Sequence, residues 1–290
     1  MNFFIYIFIG AITGTLSGLL GVGGGIIVIS ALVLLFKHNP DIANQMIMHV
    51  AAGTSLAIMI FTASSSAYTY FKRNLINWSM VLHFLPGLCL GMIIGTIIAS
   101  NLSSDNIVRL FTVFLFSIAI FLFFHQNKDL KSEIIQHKLN SSLSQKVLIT
   151  IAAIGTGLIS TIFGIGGGML MVPFFLILKL NIRSASGTSA FCGLPIAIIG
   201  TILLTISGLN NDSHMQSPAG TIGFVYWPAV FVIASASMIF APIGAYFASL
   251  FQPKTLKRIL SITLVLTAIN LLLPQGSSKH QMFALAQQNL

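Results

Sequence analysis

From Phe3 to Phe36 the chain runs for 34 residues without one charged side chain. That run restricts the fold severely. An apolar stretch of about 18 residues or more can cross a bilayer. In hydrocarbon every backbone N–H and C=O must find a partner within the protein, so only helices and closed barrels can span. A barrel strand alternates apolar and polar positions, and Ile107 to Phe124 shows no such alternation. Further runs occupy 46–71, 78–100, 107–124, 147–180, 184–208, 221–249 and 255–273. The expected fold is all-α, a polytopic membrane helix bundle of about eight hydrophobic segments. Composition agrees: 7% of residues are charged and mean hydropathy is +0.95, against about 25% charged in soluble domains. The first run has no basic residue ahead of it, which predicts a retained helix and not a cleaved signal peptide.

The same run is too long for one crossing. At 1.5 Å per residue it would extend about 50 Å, against a hydrocarbon core of about 30 Å. Its middle holds Gly21, Gly23, Gly24 and Gly25, and the segment 147–180 repeats the pattern with Gly164, Gly166, Gly167 and Gly168. Aligning Thr13-Gly14 with Thr156-Gly157 brings Ser17 onto Ser160 and these glycines into register without a gap. Farther on, Gly53-Thr54-Ser55 matches Gly187-Thr188-Ser189, Trp78 matches Trp227, Gly95 matches Gly244 and Arg109 matches Arg258. The chain therefore divides into a first transmembrane repeat over 1–125, a polar linker over 126–146, a second repeat over 147–273 and a polar tail over 274–290.

Loop charge speaks to the orientation of the halves. If each glycine segment crosses once, the 14 Lys and Arg divide evenly between the two sides. If each turns back, one side carries eleven and the other three, a clear positive-inside signal. Corresponding loops then face opposite sides, the inverted-repeat plan of many secondary transporters, with a cytoplasmic linker and external termini. A hybrid in which one glycine segment turns back gives the same split, so the side of the termini stays open. The arms 3–20 and 26–36, and again 147–163 and 169–180, suit hairpins of unequal helices.

A helix that starts at Gly24 or Gly25 aims unpaired N–H groups and a positive dipole end at whatever lies in front of it, an anion site in the making. The candidate substrate-binding residues are Gly21, Gly23, Gly24, Gly25, Gly164, Gly166, Gly167 and Gly168, with hydroxyls from Thr54, Ser55, Thr188, Ser189, Ser17 and Ser160. Gly87, Gly91 and Gly95, four residues apart, read as packing glycines, and Thr62, Ser64, Ser65 and Ser66 as helix-internal hydroxyls. His49 and His83 read as core histidines, with proton handling as the alternative. Cys89 and Cys192 sit in separate apolar spans and read as buried thiols, neither disulfide nor metal ligands.

All five acidic residues, Asp41, Asp105, Asp129, Glu133 and Asp212, are expected in loops or the linker. Cation pumps and proton relays usually need a carboxylate inside a span; an anion carrier does not. The net charge of +9 lies between the spans, where topology and anionic lipid explain it, and no nucleic acid is implied. GVGGG is neither GxGxxG nor a P-loop, and Ser17 with a histidine has no matching dyad in the second half. No enzyme, cofactor or metal is expected. The expected partners are a small anion and the lipid bilayer, and the sequence leaves the oligomeric state open.

The twin stretches SGLLGVGGGIIVIS and STIFGIGGGMLMVP, each followed by GTS and a Trp-led span ending in Ala-Ser, resemble the TauE/SafE family of sulfite exporters. The resemblance implies a plasma-membrane transporter, in bacteria of the inner membrane, that exports sulfite, sulfoacetate or related small sulfur-containing anions. The family pattern often places Pro after the glycines; Pro173 fits, while the first half has Ser30. A non-transporting membrane scaffold and an anion channel are the competing readings.

Overall fold

The computed structural model describes residues 3–20, 24–37, 42–124, 143–178, 180–210, 218–248 and a few helical positions between 262 and 269. The linker over 126–142, the tail and most of the predicted segment 255–273 lie outside them. Nine helices form among the described residues: α1 (Phe3–Leu20), α2 (Gly25–Lys37), α3 (Ile47–Lys72), α4 (Trp78–Ser100), α5 (Ser104–Phe124), α6 (Leu143–Phe163), α7 (Gly168–Ile177), α8 (Ile182–Leu209) and α9 (Trp227–Ala248). One antiparallel hairpin, β1 (Thr221–Ile222) and β2 (Val225–Tyr226), precedes α9. The overlong runs break at their glycines, giving α1 with α2 and α6 with α7.

Three expectations shift. Helix α6 begins at Leu143, within the stretch read as linker and ahead of the arm expected from 147. Asp105 lies in the first turn of α5 and not in a loop, where a negative charge suits the helix dipole. Residues 221–226, read as the start of a span, form the hairpin, because Thr, Ile, Val and Tyr suit a strand as well as an apolar helix.

The directions of the helices follow from their contacts. On α8, Gly200 faces Leu56 of α3, while Gly193 faces Met59 and Ala63, so α3 and α8 are antiparallel. On α9, Phe224 ahead of the helix lies against Gly53, and Ser237 and Met238 bond Thr62 and Ser65, so α9 runs with α3. Gly10 and Gly14 of α1 lie against Ile233 and Ser237, and Gly244 against Thr15, which makes α1 parallel to α9. By the same reasoning Gly87, Gly91 and Gly95 climb α6 past Ala153, Ile154 and Leu158, so α4 and α6 are parallel. Trp78 meets Phe191 edge to face and Leu75 lies against Gly187, which aligns α4 with α8. Thus α1, α3 and α9 point one way and α4, α6 and α8 the other. The sequence-matched helices α1 and α6, α3 and α8, α4 and α9 are antiparallel.

The two halves are also interleaved. Helix α1 packs on α9, and α6 on α4, each across the sequence halves, through small residues that let backbones approach. Helix α3 lies at the centre: 89% of its apolar stretch is buried, against 44–50% for the other four long spans. The outer surface is apolar as well, with Leu82, Ile97, Phe231 and Ile239 each at least 60% exposed. A contiguous apolar exterior belongs against lipid, not water.

Candidate functional site

Gly24 and Gly167 stand at matching places, each where the chain has turned back beside the preceding helix. A Cβ built on Gly24 would lie 3.0 Å from the Thr13 carbonyl oxygen and from the Ser17 Cβ, so the chain has doubled back along α1. Gly24 has φ +69° and Gly167 φ +62°, the left-handed region in which glycine is favoured. Each serves as the residue just ahead of a helix. The Gly24 carbonyl accepts from the amides of Ile27 and Val28, and the Gly167 carbonyl from those of Leu170 and Met171. Helices α2 and α7 therefore start at Gly25 and Gly168 with their positive ends in the interior. Their 13 and 10 residues reach only about 20 Å and 15 Å, so neither short arm spans alone.

The two turns meet. A Cβ built on Gly25 would stand 3.2 Å from the Gly164 oxygen and 3.2 Å from the Gly166 nitrogen. The same position lies 3.1 Å from the Met59 Sδ, and Met59 is at the middle of α3. Gly193, near the middle of α8, lies 3.6 Å by the same construction from the Gly166 oxygen. The glycine turns are thus back to back at mid-height between the two central helices. Gly21 and Gly23 lie outside the described residues.

Beside each turn sits a serine of the preceding long arm. Ser17 and Ser160 are both 0% exposed, and neither Oγ has a hydrogen-bond partner. A Cβ built on Gly24 would be 3.6 Å from Ser17 Oγ, and one on Gly167 3.0 Å from Ser160 Oγ. A buried hydroxyl without a partner costs about 1–3 kcal/mol, and buried polar groups are rarely left so. Here the same omission occurs at two positions matched in sequence. Each of these hydroxyls stands beside the start of a short helix.

The GTS residues divide their duties. Thr54 Oγ1 accepts from the Tyr226 amide at 3.0 Å, and Thr188 Oγ1 from the Asn77 amide at 2.9 Å. Each threonine grips the residue just before the Trp-led helix of the other repeat. Gly53 and Gly187 allow that approach, since a Cβ on either would strike the carbonyl of Phe224 or Leu75. Their hydroxyl oxygens are therefore occupied in joining the halves. Ser55 stays with the turns, donating to the Gly25 carbonyl at 3.2 Å, and Ser189 is fully buried. Sequence reasoning did not single out Met59, which the fold sets against Gly25. The offset of 134 residues that matches the two GTS motifs pairs Met59 with Gly193, and that contrast was the available signal.

His49 ties helix ends together, with Nε2 2.9 Å from the Ala99 carbonyl and Nδ1 3.2 Å from Ser104 Oγ. His83 is exposed and lies 2.7 Å from the Ser79 carbonyl of its own helix. Among the described residues no three His, Cys, Asp or Glu side chains gather as they would to hold a metal.

An apolar exterior and five helices long and apolar enough to cross a membrane define a polytopic helical membrane protein. The model of the family "Sulfite exporter TauE/SafE" matches residues 6–271, and the chain belongs to that family. It is 31% identical over 265 residues to a "Probable membrane transporter protein" of Haemophilus influenzae, covering 91% of this chain and 96% of the relative. It is 30% identical over 284 residues to the "Probable membrane transporter protein YunE" of Bacillus subtilis, covering 94% and 98%. A third relative, the "Probable membrane transporter protein MJ0441" of Methanocaldococcus jannaschii, is 25% identical over 93% of this chain and 95% of its own. No solved structure matches. Family and relatives place the chain among membrane transporters.

Proposed function

We propose that the protein is a secondary transporter of the plasma membrane, the inner membrane in a Gram-negative cell, that exports small anions such as sulfite or organosulfonates. Substrate binds between the two glycine turns and crosses by alternating access at the interface of the repeats. The observation that carries this reading is the pair Ser17 and Ser160, two enclosed hydroxyls without partners, each beside the start of a broken helix. An oxyanion between them would accept from both and would lie at the positive ends of α2 and α7. Broken helices that meet at the midplane between opposed repeats are where secondary transporters bind substrate. The opposed directions of α3 and α8 support that arrangement.

Purified protein in liposomes tests the reading. Saturable flux of sulfite or a short sulfonate is expected, at transporter rates. Turnover far above those rates would point to a channel. No flux across a broad panel of oxyanions and sulfonates would favour a scaffold, with the turns as packing elements.

A further inference from the structure

At the centre of the bundle the halves stop matching. The offset that carries Gly53-Thr54-Ser55 onto Gly187-Thr188-Ser189 carries Met59 onto Gly193. These two positions face each other: a Cβ built on Gly193 would lie 3.8 Å from the Met59 Cε. Because α3 and α8 cross antiparallel there, the pseudo-two-fold axis passes between them. Two methionines on that axis would collide, and two glycines would leave a gap. One thioether fills the place for both halves.

Met59 also reaches the turns. Its Sδ is 3.1 Å from the Cβ position of Gly25, the same position that lies 3.2 Å from the Gly164 oxygen and the Gly166 nitrogen. It is 0% exposed yet stands outside the contiguous apolar core, with glycine backbone close by. An unbranched side chain with three rotatable bonds changes its course more readily than a branched aliphatic one.

We infer that Met59 sets the size of anion the site admits. This rests on the transport reading above. Its thioether occupies the space between the turns and must move aside when an anion binds there. Ser17 and Ser160 hold the oxyanion, and Met59 meets whatever substituent the anion carries. The preferred class is then oxyanions with no substituent or a short unbranched one.

The test is flux of sulfite, methanesulfonate and butanesulfonate through the full chain in liposomes. Wild type is expected to carry the first two and to exclude butanesulfonate. Met59→Ala is expected to raise the butanesulfonate-to-sulfite ratio about tenfold or more, the scale on which one or two methylenes count in an apolar pocket. Met59→Leu, whose branched side chain moves aside less readily, should lower methanesulfonate flux relative to sulfite. The exchange Met59→Gly with Gly193→Met moves the thioether to the other half and should return the ratio to that of wild type. Gly193→Ala adds a Cβ with no neighbour nearer than 3.6 Å, so it folds, and it should lower methanesulfonate flux relative to sulfite even if Met59→Ala fails to reach the membrane. Sulfite flux by wild type with an unchanged ratio in Met59→Ala, or in Gly193→Ala should the former not fold, overturns the role of Met59 alone. Absence of all anion flux in wild type overturns the transport reading and this inference together.

Discussion

Gly24 and Gly167 each combine a left-handed backbone with a close neighbour at the start of a short helix. Replacing either with Leu puts a branched residue at positive φ, which costs about 1–2 kcal/mol on backbone grounds, and drives its side chain into Ser17 or Ser160. Gly24→Leu and Gly167→Leu are expected to abolish flux while the protein still reaches the membrane fraction; wild-type flux in both would remove the turns from the site. Ser17 and Ser160 call for the opposite kind of substitution. Their hydroxyls bond nothing within the fold, so Ser17→Ala and Ser160→Ala should leave the detergent melting temperature unchanged or slightly raised. A hydrogen bond to a charged group contributes about 1.5–3 kcal/mol, so each is expected to raise the KM for the anion by about ten- to a hundredfold. Unaltered KM in both variants would make the serines packing residues. The break in each overlong run and the serine beside it could be read from sequence, because the two stretches align without a gap. The separate duties of Thr54 and Ser55 could not. They depend on Tyr226, 172 residues away from Thr54, and on the Gly25 carbonyl, 30 residues away from Ser55, and no local pattern reports such partners.

Among the elements, the two Trp-led helices are held by the opposite repeat. Thr188 accepts the Asn77 amide just before α4, and Thr54 accepts the Tyr226 amide just before α9. Thr188→Val keeps the shape and leaves that amide without its acceptor, a cost of about 1–3 kcal/mol. A lower melting temperature in detergent is expected, with Thr188→Ser close to wild type. A melting temperature equal to wild type in Thr188→Val would mean that the brace contributes nothing. The breaks between α1 and α2 and between α6 and α7 were legible from length alone, since neither run could fit one crossing. The hairpin 221–226 was not, because its residues extend the apolar run of α9 without a change of composition. Its strands show only in register, Thr221 opposite Tyr226 and Ile222 opposite Val225. Interleaving was equally hidden: α1 on α9 and α6 on α4 are contacts between repeats that a boundary drawn along the chain does not suggest.

For the whole molecule the helix directions and the charges give the same answer from different physics. Lys72, Arg73, Lys146 and Arg183 gather at the end where α3 finishes and α4, α6 and α8 begin, while Lys37 and Arg109 lie at the other end. By the positive-inside rule the excess at the first end, counted over the described residues, predicts that this end faces the cytoplasm. Trp78 opens α4 at this end and Trp227 opens α9 at the opposite one, the two levels at which interfacial aromatics collect. Matched positions of the two repeats should therefore lie on opposite sides of the membrane. Ser79 and Ile222, both exposed, provide the test: Ser79 is in the first turn of α4, and Ile222 is in the hairpin before α9. With Cys89 and Cys192 replaced by Ala, a membrane-impermeant maleimide applied to intact cells is expected to label Ile222→Cys at once. Ser79→Cys should react only after the membrane is permeabilised. Labelling of both from outside would put the starts of α4 and α9 on one side, and neither the opposed repeats nor a site shared between their glycine turns would survive that result.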